Sequence, residues 1–114
     1  MNTYSDFVAS IVKPGEDIVN EISPDKAQLI HYALGVAGEA GELVDAIKKS
    51  TMYNQELDRE NVVEELGDIM FYITALVDLL GIDKNYVIQH NIEKLSKRYA
   101  DGYSNKAAKE RKDK

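Results

Sequence analysis

Both prolines of this chain stand at helix boundaries, and that punctuation divides it into segments of helical spacing with no strand signal between them. The first segment, Tyr4 to Lys13, places Phe7, Val8, Ile11 and Val12 on one side and stops at Pro14-Gly15. A short piece from Glu16 to Ile22 follows. Ser23-Pro24 then joins an N-cap hydroxyl to a proline in the first helical turn, where its missing N–H leaves no bond unmade, and opens a helix expected to run to about Ser50. Asp58 caps a third helix that reads to Leu80 and stops at Gly81, and Asp83 caps a fourth reaching about Ala100 before Gly102. The fold class is therefore all-α, an antiparallel helical bundle of about four to five helices with short connections. One domain is expected over residues 1–103, followed by a basic tail over 104–114.

The two longest helices each carry a pair of acids, Glu39 with Glu42 and Glu65 with Asp68. A three-residue offset sets both side chains on one face, about 5 to 6 Å apart at Cβ. Four acids converging from two helices repel one another strongly unless cations sit among them, and hard divalent cations such as Mg²⁺ prefer carboxylate oxygens. A lone Glu-x-x-Glu is usually solvated surface, whereas two pairs that both border apolar stripes point to a metal site. Helical spacing gives the expected core side of the second helix as Leu29, Ile30, Ala33, Leu34, Val36, Ala37, Ala40, Val44 and Ile47. On the third it is Val62, Val63, Leu66, Ile69, Met70, Ile73, Leu76, Val77 and Leu80. Glu39 lies at the margin of its stripe with Glu42 farther round, and Glu65, Asp68 and Tyr72 form a row flanking the other. The acids should then line a cleft between two packed helices.

Gly35, Gly38 and Gly41 interrupt the same helix, each at a cost of about 1 kcal/mol against alanine, so tight packing or the close approach of a ligand is expected there. His31 falls on the side of Glu42, placed for a structural or base-contacting role rather than as a metal ligand. On the fourth helix Asn91, Lys94 and Arg98 share a face by offsets of three and four. Such a stripe suits a phosphate chain, Arg by its planar fork and Lys as a point charge, unless it only balances an acidic protein. Lys48 and Lys49 suit the C-terminal end of their helix dipole.

Composition narrows the classes. The net charge of −6 argues against a general nucleic-acid binder, which needs clustered bases for the phosphate backbone. No cysteine is present, which excludes a disulfide scaffold, a thiolate metal site and a cysteine nucleophile, and fits a cytoplasmic location. Neither a secretion signal nor an apolar run long enough to span a bilayer stands out, so no membrane partner is expected. Residues 104–114 carry five bases and two acids, net +3, as a solvated end or as an arm closing over an anionic ligand or a neighbouring subunit.

The stretches HYALGVAGEAGELVDAIKK, ENVVEELGDIMFYI and NIEKLSKRYADGY resemble the MazG-like all-α nucleoside triphosphate pyrophosphohydrolases, whose signature is Glu-x-x-Glu, a spacer, then Glu-x-x-Asp. It maps onto Glu39, Glu42, Glu65 and Asp68, and the resemblance covers roughly residues 25–103. Ala100 stands where related chains often have proline. The resemblance implies a Mg²⁺-dependent enzyme, with Mn²⁺ as a substitute, that splits a nucleoside or deoxynucleoside triphosphate into the monophosphate and pyrophosphate. It implies catalytic and metal roles for Glu39, Glu42, Glu65 and Asp68, substrate contacts from Asn91, Lys94, Arg98 and Lys49, and a homodimer or homotetramer. The alternative is a module that keeps the fold and binds nucleotide without catalysis. A di-iron carboxylate bundle fits less well, since it wants Glu-x-x-His on two helices.

Overall fold

A computed structural model describes residues 3–113, and all regular structure among them is helical. The helices are α1 (Tyr4–Ile11), α2 (Gly15–Glu21), α3 (Pro24–Met52), α4 (Arg59–Leu79), α5 (Lys84–Arg98) and α6 (Asn105–Glu110). The all-α class is the one expected, with α6 formed inside the basic tail. Each expected start is held by its side chain: Ser23 Oγ accepts from Lys26 N, an Asp58 carboxylate oxygen from Asn61 N, and an Asp83 carboxylate oxygen from Asn85 N. Thr3 and Ser104 cap α1 and α6 in the same way. Gly81 ends α4 at φ +65°, a backbone conformation that glycine adopts without a Cβ penalty.

Helix packing is concentrated in two places, an antiparallel hairpin of α3 and α4 and an elbow between α5 and α6. In the hairpin the shielded positions of α3 are Tyr32, Gly35, Val36, Glu39, Ala40, Leu43, Ala46 and Ser50, and those of α4 are Asn61, Val62, Glu65, Ile69, Tyr72, Thr74, Ala75, Leu76, Val77 and Leu79. Within each set one row recurs at alternating steps of three and four, from Tyr32 through Glu39 to Ser50 on α3 and from Val62 through Glu65 to Leu79 on α4, the spacing of a two-helix seam. Among the described residues only Ala46 and Val77 are buried.

This corrects the expected core. Leu34, Val44 and Met70 are each 63% exposed, and Leu29, Ile30, Ile47, Val63, Leu66, Ile73 and Leu80 are exposed as well. The physical reason is width: an apolar stripe covering more than 100° of a helix needs several neighbours, and one antiparallel partner covers a single seam at its edge. Glu39, Glu65 and Tyr72, placed beside the stripes by periodicity, lie in that seam instead.

The rest of the chain does not close over the hairpin. The Cα radius of gyration is 20.1 Å, against about 13 Å for a compact domain of this length. The accessible surface is 9302 Å², against about 6,300 Å² for a compact monomer of 12.8 kDa. Among the described residues no helix is long and apolar enough to cross a membrane.

Candidate metal centre

Glu39 lies near the middle of α3, and Glu65 and Asp68 stand one turn apart on the facing part of α4. One carboxylate oxygen from each of the three lies within 4.8 Å of the other two. Glu39 and Glu65 are half-buried in the seam, and Asp68 is exposed at its edge. Glu65 Oε2 is buried with no hydrogen-bond partner. Burial, then the adjacent Glu39 carboxyl group, then the charges of Asp68 and Glu42 hold Glu65 above its ordinary carboxylate pKa.

A buried, unpartnered carboxylate oxygen beside two further acids is an arrangement that costs stability without a compensating charge. A divalent cation among three hard oxygen donors converging from two helices would supply that compensation, so the residues present fit a metal. Glu42 is exposed and stands outside the three-acid group, although Glu65 feels its charge. The structure thus draws together three of the four acids named from sequence.

The seam continues from the acids into an aromatic cluster. Tyr72, one turn beyond Asp68 on α4, lays its ring over Gly35, the residue one turn before Glu39 on α3. His31 meets the Tyr72 ring edge-on, with centroids 6.2 Å apart at 84°, and the ring of Phe71, its chain neighbour, stands 5.2 Å away at 85°. Close helix packing therefore accounts for Gly35, whereas a Cβ at Gly38 or Gly41 would meet nothing within 4 Å.

The basic residues are disposed differently. Lys49 faces Asp45 at 3.5 Å one turn back on α3, and Lys48 Nζ sits 5.8 Å from the Tyr53 ring centroid. Asn91, Lys94 and Arg98 lie on α5, which does not pack along the acid-bearing hairpin, so one chain does not bring these residues together with the acids. Arg98 donates from Nε and Nη2 to the two carboxylate oxygens of Asp113, at 2.7 and 3.1 Å. That pair holds Asp113 below the ordinary carboxylate range and raises Arg98 further. Sequence reasoning missed Asp113, whose only signal was to be one of two acids among the bases of the tail.

Comparison with known proteins agrees with the geometry. The pattern of the MazG nucleotide pyrophosphohydrolase domain matches residues 28–102, which include all four acids and the Asn91, Lys94 and Arg98 stripe. The Gene 37 protein of Mycobacterium phage L5 is 35% identical over 75 residues, which is 61% of this chain and 65% of that protein. The chain thus spans just under two thirds of that relative's length. No solved structure matches it.

Proposed function

The chain belongs to the MazG nucleotide pyrophosphohydrolase family, and from that premise we propose that it hydrolyses a nucleoside or deoxynucleoside triphosphate at the α–β phosphoanhydride, releasing the monophosphate and pyrophosphate. The observation that supports this best is the three-acid cluster with its orphaned Glu65 oxygen. Glu39, Glu65 and Asp68 would hold a Mg²⁺ ion, with Mn²⁺ as a substitute. A divalent ion there would supply charge to offset the phosphates and would make the attacking water easier to deprotonate.

Glu42 is the acid left outside the cluster, one turn from Glu39, and it suits proton transfer. It accepts the proton of the attacking water as the oxygen bonds to the α-phosphorus, and pyrophosphate departs with the electron pair of the broken P–O bond. Tyr72 and His31 would present aromatic edges to the nucleoside end, beside the acids on the same seam.

Asn91, Lys94, Arg98 and Lys49 would contact the phosphates. Because α5 stands away from the acids, we assign completion of the site to a second copy of the chain, in a homodimer or homotetramer. The exposed Leu34, Val44, Val63 and Met70 support this, since an uncovered apolar face of this extent marks an interface.

The test is pyrophosphate release from each of the common ribo- and deoxyribonucleoside triphosphates, with Mg²⁺ and with Mn²⁺. Release from at least one of them, lost on chelation, is expected. Folded protein that binds nucleotide and releases pyrophosphate from none would replace this reading with the non-catalytic module.

A further inference from the structure

Among the described residues, only one ion pair is shielded from solvent. The side chains of Arg98 and Asp113 are 14% and 3% exposed, whereas every other paired side chain is at least 42% exposed. The chain reverses at Gly102, φ +87°, and α6 brings the tail back so that residues fifteen apart in sequence meet. The Arg98 guanidinium carbon also lies 5.9 Å from the Tyr99 ring centroid.

Asp113 takes the side edge of the guanidinium, Nε and Nη2. Arginine has five N–H donors and a second fork, the end edge formed by both terminal nitrogens, which Asp113 leaves unused. Arg98 lines a cavity of about 290 Å³ at the α5–α6 elbow, together with Lys97, Lys106 and Lys112. The acids of that wall are Asp101 and Glu110, and Glu110 faces Lys106 at 3.8 Å. Lys97 and Lys112 form no ion pair among the described residues. The tail brings Lys106 and Lys112 to Arg98 together with Glu110 and Asp113, and Lys97 and Arg98 against Asp101 leave the cavity with an excess of positive charge.

We propose that Asp113 is a positioning residue: it grips Arg98 by the side edge, so that the end edge and the neighbouring lysines form a subsite for a phosphate or pyrophosphate group at the elbow. This rests on the reading of Arg98 as a phosphate contact. The rival arrangement, in which the Asp113 carboxylate stands where a phosphate would bind and excludes it, predicts the opposite sign on its removal.

The experiment is calorimetric titration of inorganic pyrophosphate into the full chain with EDTA present, which leaves the acid cluster without metal. Asp113→Asn keeps the shape and removes the charge, and it should weaken binding about tenfold, the scale of a lost charge-assisted contact. Arg98→Ala should lose at least as much, the double variant no more than Arg98→Ala alone, and Asp113→Glu should recover part of the loss. Glu16→Gln, on α2 and outside the cavity lining, should bind as the unaltered chain does. A ¹⁵N spectrum gives an independent readout: the Arg98 Nε–H signal should exchange slowly with water and lose that protection in Asp113→Asn. Unchanged or tighter binding in Asp113→Asn overturns the proposal, the latter in favour of exclusion, and so does failure of the unaltered chain to bind pyrophosphate. Absence of triphosphate hydrolysis alongside the expected titrations would sink the enzymatic reading and leave the subsite standing.

Discussion

The Tyr72 ring lies so close over Gly35 that a Cβ at that glycine would overlap its Cγ, Cδ1 and Cε1. Intrinsic helix propensity favours alanine over glycine by about 1 kcal/mol, so the contact and the propensity oppose each other here. Overpacking a ring in contact with both His31 and Phe71 is the larger effect, and Gly35→Ala should destabilise the chain by about 1 to 3 kcal/mol in urea unfolding. Gly38→Ala and Gly41→Ala, with open space at the Cβ, should instead stabilise it by up to about 1 kcal/mol. Equal effects at all three positions would contradict this account of the seam.

Removing acids should separate function from folding. Asp68→Ala and Glu65→Gln are expected to abolish Mg²⁺-dependent turnover and weaken Mn²⁺ binding, with helical content unchanged by circular dichroism. In the absence of metal, Glu65→Gln should melt no lower than the unaltered chain, because it relieves a carboxylate crowded by Glu39 and Asp68. Near-normal turnover in either purified variant would remove the metal assignment.

The exposed apolar side chains make assembly measurable. Light scattering at micromolar concentration should give a multiple of the 12.8 kDa chain mass. Leu34→Glu or Val44→Glu, each placing a charge where the side chain is 63% exposed in one chain, should shift the mass toward the single chain and raise the KM for triphosphate. A single-chain mass for the unaltered protein would count against a shared site.

Acidification should release the tail. Asp113 is held below the ordinary carboxylate range by its hydrogen bonds to Arg98, so its folded-state pKa is depressed relative to the unfolded chain. The stability it contributes is therefore complete above the unfolded carboxylate pKa of about 3.9 and is lost as pH falls through the lower folded value. The protection of the Ala107 and Ala108 amides, taken relative to intrinsic exchange at each pH, should fall in that acid window and stay level between pH 6 and about 8, and Asp113→Asn should show no such step.

How much could be read beforehand depended on the range of the interaction. Ser23, Asp58, Asp83 and Gly81 act within one turn of themselves, so the helix boundaries follow from local chemistry and agree with the structure to within about two residues. The acid pairs were legible for the same reason, since a three-residue offset settles which side chains are neighbours. The seam was not. Leu34, Val44, Val63 and Met70 mark a face that hydrophobic periodicity assigns to burial, but periodicity does not say which neighbour does the burying. Pairing across the seam placed Glu39 opposite Glu65 and left those residues outside it. Asp113 lay beyond reach altogether, because its partner is fifteen residues away across a chain reversal.

The three clustered acids sit inside α3 and α4, Glu39 several turns from both ends of its helix and Glu65 and Asp68 past the first turn of theirs. Helix ends open with free energies near zero, whereas the middle of a packed pair exchanges its amides only when the pair separates as a unit. Fluctuation of α1, α2 or the tail therefore leaves the spacing of these carboxylates unchanged, and a ligand captured between them has little disorder to suppress. Amides around Glu39 and Glu65 should accordingly be the slowest in the chain to exchange, which makes the centre's rigidity observable before any substrate is known.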